Sequence, residues 1–403
     1  MHTDRPSFPA RRCLIVVPDL GRGGAERQAA LVGQALGEEG YNVRLFVQAP
    51  PYLLARDGVT GDLELDLPAS RGSVLAQLGR LRRAVEAFAP DVVITFLRGA
   101  EGRFALTRTV SVAARRAAWI ATARGNVRLL HLAQAPVTFG AQLFWLRLAD
   151  RICPNSAALG GNLLAMDDRF AAKIVVIPNI VQPFPVDAEA ARDRVDGLVG
   201  GPSHRPVIGC IGSFQDERNY LLLASALPLV LRAHPSAHCL LVGKTTGGQV
   251  SSVAAEFHAR IHALGLQEHV TVAGEIPEAR TLLAGLDVFA LPSKLEGSSN
   301  ALAEAMVAGA ATATTPVSDA EELLGGAGVV SHGWTPTAFA EAILDALERG
   351  PVLHALAKAR GDALTLARSP QRVGARWAAV VEEAIEAARV RLSKGIETIK
   401  TRA

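Results

Sequence analysis

Residues Leu291–Gly309 read LPSKLEGSSNALAEAMVAG. An apolar run ends at Leu291, a Gly/Ser turn follows, and an apolar helical pattern begins near Ala301. Glu296 and Glu304 stand eight residues apart across that turn. The first falls in the loop after a strand, the second one turn into the helix. Between them the amides of Gly297, Ser298, Ser299 and Asn300 can converge on an anion at the positive helix end. One carboxylate can then hold hydroxyls on one side of a phosphate, and the second can hold hydroxyls on the other. That layout suits a phosphorylated sugar. The same spacing also serves an ordinary capped helix with two solvated glutamates, and spacing alone does not separate the two.

Outward from this stretch, short apolar runs alternate with helical patterns twice over. Cys13–Val17, Val43–Val47, Val92–Phe96, Trp119–Thr122, Ile152–Pro154 and Ile174–Ile177 read as buried parallel strands, with helices such as Ala25–Leu36, Val74–Phe88 and Phe104–Ala114 between them. The alternation restarts with Val207–Ile211, His238–Val242, Val270–Ala273, Val288–Leu291, Ala311–Thr315 and Val329-Val330, separated by helices such as Tyr220–Ala233, Val253–Leu264 and Ala301–Ala308. The pattern predicts an α/β chain of two Rossmann-like, doubly wound domains. Residues 1–11 are expected to be flexible, 12–180 to form the first domain and 205–370 the second. Pro183, Pro185 and Gly200-Gly201-Pro202 mark 181–204 as a linker. Residues 371–403 carry no strand signal and are expected as helices crossing back to the first domain. Ligands of such sheets bind beyond the carboxyl ends of the strands, so facing domains would place the site in the cleft between them.

Composition narrows the class. With 403 residues, 49% hydrophobic and 20% charged, the chain is globular and long enough for two cores. A formal charge of +3 and 5% aromatics, without basic-aromatic interleaving, argue against nucleic acid. The opening residues do not read as a signal peptide, and no apolar run reaches transmembrane length. Cys13, Cys153, Cys210 and Cys239 sit in or beside apolar runs without metal-ligand spacing, and read as buried reduced thiols of a cytoplasmic protein. The histidines show no paired helical spacing, so no metal is expected. Arg71, Arg80, Arg82 and Arg83 surround an apolar helix stripe. A peripheral membrane contact, on the inner face of the membrane, is one reading of it; core with a solvated basic edge is the other.

Three loops have the position and composition for the cleft. The first runs from Pro18 to Arg27, where Gly23 and Gly24 let backbone approach a ligand just before a helix. It is not a dinucleotide fingerprint, because Glu26 stands where a small third residue is required. The second runs from Gly209 to Asn219. There Arg218 can meet a phosphate at a helix start, or can pair with Asp216 or Glu217 as a solvated arginine. The third is the opening stretch, with Lys294 as a further cation. Gly243-Lys244-Thr245 imitates the end of a P-loop, but His238 occupies the position of the required first glycine. No Gly-x-Ser-x-Gly elbow is present, which weakens a hydrolase reading.

These segments, in this order, resemble the retaining glycosyltransferases of family four, which have the GT-B fold. GGAER at Gly23–Arg27, IPN at Ile177–Asn179, IGSFQDERN at Ile211–Asn219, LPSKLEGSSNALAEAMVAG, and TPVSDAEEL at Thr315–Leu323 carry the resemblance. It spans roughly Cys13 to Arg391, and the Glu-x7-Glu segment is its most specific part. The resemblance implies transfer of a sugar from a nucleoside diphosphate sugar to an acceptor hydroxyl with retention, without a cofactor, in polysaccharide, glycolipid or other glycoconjugate synthesis. The acceptor would be a glycan, a lipid-linked molecule or a small molecule.

The implied roles follow position by position. Glu304 would hold the ribose, Glu296 the donor sugar, and Gly297, Ser298, Ser299 and Asn300 the sugar and diphosphate. Arg218 takes the place of a family lysine on the phosphates. Beside Gly212, Ser213 replaces an arginine that usually reaches the diphosphate, a loss Lys294 can offset. Glu322 aligns with a glutamate near the nucleotide; the glycines that precede it in the family are Ser318 and Asp319 here. In the first domain the family histidine is missing, and Arg98, Arg124 and Asn126 are acceptor-side candidates or solvated loop residues. An epimerase or hydrolase of the same fold, or a non-catalytic nucleotide-sugar binder, fits the same residues.

Overall fold

The computed structural model describes residues 10–125, 136–247 and 249–400, so most of the segment expected to be flexible, 1–11, lies outside it. Contacts divide the chain into two compact units, Met1–Ile180 with Pro370–Ala403, and Val181–Ser369.

In the first unit β1 (Arg12–Val17), β2 (Asn42–Val47), β3 (Glu64–Asp66), β4 (Val92–Phe96), β5 (Ala118–Ala123) and β6 (Arg151–Pro154) form a parallel sheet in the order β3-β2-β1-β4-β5-β6. In the second, β7 (Val207–Ile211), β8 (His238–Val242), β9 (Val270–Gly274), β10 (Val288–Leu291), β11 (Thr312–Thr314) and β12 (Val329–Val330) are parallel in the order β12-β11-β10-β7-β8-β9. Counted from each unit's first strand, the two orders are the same. Helices cover both faces, so central strands are buried throughout, as in β4, β5 and β8. Each large apolar side chain so buried contributes about 1.5–3 kcal/mol.

Four expectations need correction. Residues 181–204 are not a linker: Ala188–Val199 is a helix of the second unit. Asp187 caps it by accepting the Ala190 amide at 3.0 Å, left-handed Gly200 ends it, and Ala191, Val195 and Val199 are buried. The expected strand Ile174–Ile177 makes only an isolated bridge to Ile152, because its partner strand ends at Pro154, which has no amide to donate. The expected helix Phe104–Ala114 is two helices, Leu97–Val110 and Val112–Arg116; Ser111 breaks the pattern and caps the second through the Ala114 amide at 3.3 Å. Arg11, placed in the flexible segment, pairs with Glu382 at 2.6 Å.

The last helix, Pro370–Lys400, belongs to the first unit. Val373, Trp377, Val380, Val381, Ala384, Ile385 and Ala388 recur at helical spacing and are buried in the core of β1 and β4. Arg391 donates to buried Asp150 at 2.9 Å, and Arg376 to the Val176 carbonyl at 2.7 Å. In the helix Val74–Phe88, Leu81, Ala84, Val85 and Phe88 are buried, and Arg80 pairs with Asp66 at 2.5 Å over the Phe46 ring. These four residues are core, whereas Val74 and Leu75 at the start of the same helix are exposed. No helix among the described residues is long and apolar enough to cross a membrane.

Two positions make the second unit's sheet testable. His238 is buried at the start of β8, its Nε2 2.8 Å from Thr271 Oγ1 and its ring edge-on to His204. Burial, then the neighbouring His204 and His269, push its pKa from 6.5 down to about 4. The native form is neutral, so stability is full above the ordinary value and drains as pH falls toward the folded one, by about 3 kcal/mol at most. Urea midpoints measured across that range should fall in the wild type, with a shallower slope in His238→Gln. At the other end of β8, a Cβ on Gly243 would overlap the Gly212 carbonyl, whereas a Cβ on Gly197 in the helix Ala188–Val199 meets open space. Gly243→Ala should therefore destabilise by about 1–3 kcal/mol and Gly197→Ala stabilise by about 0.5–1 kcal/mol in the same assay.

Candidate functional site

In the second unit β7 pairs with β10 at the point where the strand order reverses. The chain leaves these strands in opposite directions, and the loops beyond their carboxyl ends leave room for a ligand. The loop after β7 tightens into a single 3-10 turn, Asp216–Arg218, and left-handed Asn219 (φ 53°) starts the helix Tyr220–Ala233. This turn aims the Arg218 guanidinium at Glu296 in the loop after β10, and the two form an ion pair. Glu296 Oε1 also accepts the Ser293 hydroxyl at 2.9 Å. Ser293 is fully buried, and its carbonyl accepts the Thr315 hydroxyl at 2.6 Å and the Trp334 indole at 3.3 Å. Glu296 is thus held from two sides, with its side chain 11% exposed against 28% for Arg218. The carboxylate raises the Arg218 pKa, which keeps the guanidinium charged despite its burial. Below it, the buried Tyr220 hydroxyl donates to the Gly212 carbonyl at 2.7 Å.

The structure therefore brings Arg218, Glu296 and Gly212 together. Lys294 is placed differently: its amide bonds the Glu217 carbonyl at 2.7 Å, and its exposed ammonium pairs with Asp216 at 2.8 Å. Ser213, half-buried, offers its carbonyl to the Gln215 amide at 2.8 Å. Ser299 caps the helix Asn300–Ala308 by accepting the Leu302 amide at 3.3 Å, so the amides of Gly297–Asn300 lie at a genuine helix start. Glu304 is half-buried on that helix. Glu322 accepts from Arg368 at 2.8 Å, and Arg360 donates to the Glu322 and Leu323 carbonyls at 2.5 and 2.9 Å. Arg368 is itself buried, a partner that nothing local in the sequence announces.

In the first unit Gly23 caps the helix Gly24–Glu38 with backbone alone. The space a side chain would take there holds the Glu26 carboxyl, whose pKa is pushed up to about 7 by burial and by Asp19. The chain's own acid thus sits over the expected anion position. Arg124 donates to Asn179 Oδ1 at 2.7 Å, and its guanidinium lies 4.8 Å from the Phe96 ring centroid. Burial lowers its pKa to about 10. Asn155, which no motif reveals, donates to the same Asn179 oxygen at 3.3 Å. Arg98 is exposed and acts electrostatically on Glu101, a fully buried acid raised to about 8 that the sequence reading missed. Asn126 lies outside the described residues.

Known proteins match both units. Residues 22–183 match the model of Glycosyltransferase Family 4, and residues 205–349 that of Glycosyl transferases group 1. A D-inositol 3-phosphate glycosyltransferase of Segniliparus rotundus is 27% identical over 221 residues, 52% of this chain and 47% of that protein. A lipopolysaccharide core biosynthesis mannosyltransferase of Rhizobium leguminosarum is 27% identical over 170 residues, 40% of this chain and 47% of its own. The chain thus spans about half the length of the curated relatives it matches. Among solved structures, Anabaena Alr3699/HepE in complex with UDP and glucose aligns with a TM-score of 0.76 at 16% identity, covering 92% of this chain and 99% of that one. Sucrose-phosphate synthase of Thermosynechococcus elongatus aligns with a TM-score of 0.69 at 16% identity, covering 98% and 100%. At such identities the likeness shows the GT-B fold, and each of the two glycosyltransferase family models matches one unit of it.

Proposed function

We propose that the second unit binds a nucleoside diphosphate sugar and that its sugar passes, with retention, to an acceptor hydroxyl bound by the first unit. The observation that carries this is the Arg218–Glu296 pair at the β7–β10 edge, beside the capped start of the helix Asn300–Ala308. An incoming diphosphate can take over Arg218's planar array of N–H donors, which fits phosphate oxygens as it fits a carboxylate. Glu296, still held by Ser293, then turns to donor hydroxyls. Glu304 holds the ribose, and Glu322, anchored by Arg368, contacts the nucleotide. Charge developing on the leaving diphosphate is met by Arg218 and the amides of Gly297–Asn300, so the reading asks for no metal. The departing phosphate oxygen takes the acceptor proton on the face from which it leaves. Retention and the glycoconjugate setting rest on the resemblance to the family, and the matched relatives named for inositol phosphate and lipopolysaccharide core are compatible with a polar or lipid-linked acceptor.

On the first unit, Arg124 with Asn155 and Asn179 forms the acceptor side, replacing the missing histidine. Arg218→Ala and Glu304→Ala should each cut transfer at least about a hundredfold while circular dichroism and melting stay close to wild type. A thermal-shift panel of nucleotide sugars selects the donor, and transfer with it to a panel of acceptors gives the rates. Near-normal turnover in both variants would remove the site assignment. Conversion of the donor without an acceptor would make the protein an epimerase or hydrolase, and tight binding without product a non-catalytic binder.

A further inference from the structure

The loop Thr315–Asp319 is tied to the Glu296–Ser299 loop by two side-chain hydrogen bonds that no motif foreshadows. The Ser298 hydroxyl donates to Asp319 Oδ2 at 2.6 Å, and the Ser318 hydroxyl donates to the Gly297 carbonyl at 2.6 Å. Ser298 and Asp319 are both buried, each 7% exposed. Ser318 takes a left-handed conformation (φ 36°), unusual for a residue other than glycine, and so holds its hydroxyl in place against a local cost. We infer that Ser318 and Asp319 form a latch that fixes the amides of Gly297 and Ser298 in their ligand-facing direction, with Asp319 as a positioning residue for donor binding. The inference rests on the reading of that loop as the donor cradle.

The surroundings of Asp319 make the latch sensitive to protonation. Burial pushes its pKa up to about 6, against the opposing effects of the Ser298 bond and of Arg368, while Glu322 raises it further. These groups act on it from three elements: Ser298 from the cradle loop, Arg368 from the end of the helix Gly350–Ala367, and Glu322 from the short helix Ala320–Leu324. Arg360 reaches past it to the Glu322 and Leu323 carbonyls. An ionised carboxylate accepts a hydroxyl bond roughly twice as strongly as a neutral group does. The latch is therefore tight above the pKa and looser below it, and an asparagine at 319 mimics the looser state at every pH.

Calorimetric titration of the full chain with UDP-glucose and GDP-mannose tests this, since neither diphosphate diester titrates near the Asp319 pKa. Whichever probe binds the wild type more tightly is then used, near pH 7.5 and near pH 5. At the higher pH, Asp319→Ala and Ser298→Ala should each weaken binding about fivefold to tenfold, and Asp319→Asn about twofold to threefold. Wild-type affinity should fall about twofold to threefold at the lower pH, while Asp319→Asn changes little. A pair that serves stability alone would shift melting in these variants and leave the pH dependence of binding as in the wild type. Ser298→Ala removes the same bond from the other side, so one unfolded variant does not hide the answer. If the wild type binds a probe but Ser298→Ala and Asp319→Asn keep its affinity and pH profile, the latch is overturned and the cradle stands. If the wild type binds neither probe, the cradle falls and takes the latch with it.

Discussion

β10 lies beside β7, and the second unit's candidate site depends on that pairing. Right-handed crossovers carry the chain from β7 outward through β8 and β9, and it returns to the other side of β7 only at β10. The loops that leave the two strands therefore turn away from each other, and polar groups can gather between them without breaking the apolar sheet. Arg218 comes from one loop and Glu296 from the other, so neither meets its partner until this pairing has formed. The deeper anchor, Ser293, takes bonds from Thr315 beyond β11 and from Trp334 beyond β12. Half of the sheet thus converges on one serine carbonyl.

The ion pair itself adds little net stability. Its two side chains are partly exposed, and such pairs contribute about 0–1 kcal/mol. Its value lies in what it prevents and permits. A half-buried guanidinium without a counter-charge would carry a desolvation penalty, whereas paired with Glu296 it waits charged and oriented. Under the proposed function, an incoming anion meets a guanidinium that is already charged and oriented. The first unit shows the same economy at Gly23, where the Glu26 carboxyl covers the helix start and burial keeps its pKa near neutrality.

Much of this was legible in the sequence, for identifiable reasons. Parallel strands covered on both faces become unbroken apolar runs, so β1, β4, β7, β8 and β10 were readable within a residue. β3 was not, because an edge strand reading Glu-Leu-Asp carries one apolar side chain. The helix Ala188–Val199 escaped notice because Pro183, Pro185 and Gly200-Gly201-Pro202 flank it, and its three-residue stripe is too sparse to outweigh them. At the site, Arg218 and Glu296 lie in compact local motifs and were found. Asp319 on Ser298, Arg368 on Glu322 and Asn155 on Asn179 join common residues far apart in the chain, and only the fold selects them.

Under the proposed function, the loops after β7 and β10 carry less positive charge than the family resemblance implies. Ser213 stands where an arginine is usual, Lys294 is engaged outward by Asp216, and Arg368 is engaged by Glu322. Asp319 adds a buried acid where the pattern has glycine. A site short of cations must rely more on dipoles, and dipoles stabilise developing charge only so far as their direction is fixed in advance. A glycine-rich loop leaves the amides of Gly297 and Ser298 free to reorient, at a cost incurred in the transition state. Ser318 and Asp319 remove that freedom with two short bonds, and Ser299 does the same at the helix start. On the proposed reading, the serine at 213 and the latch belong to one arrangement, in which oriented backbone carries what a side-chain charge otherwise would.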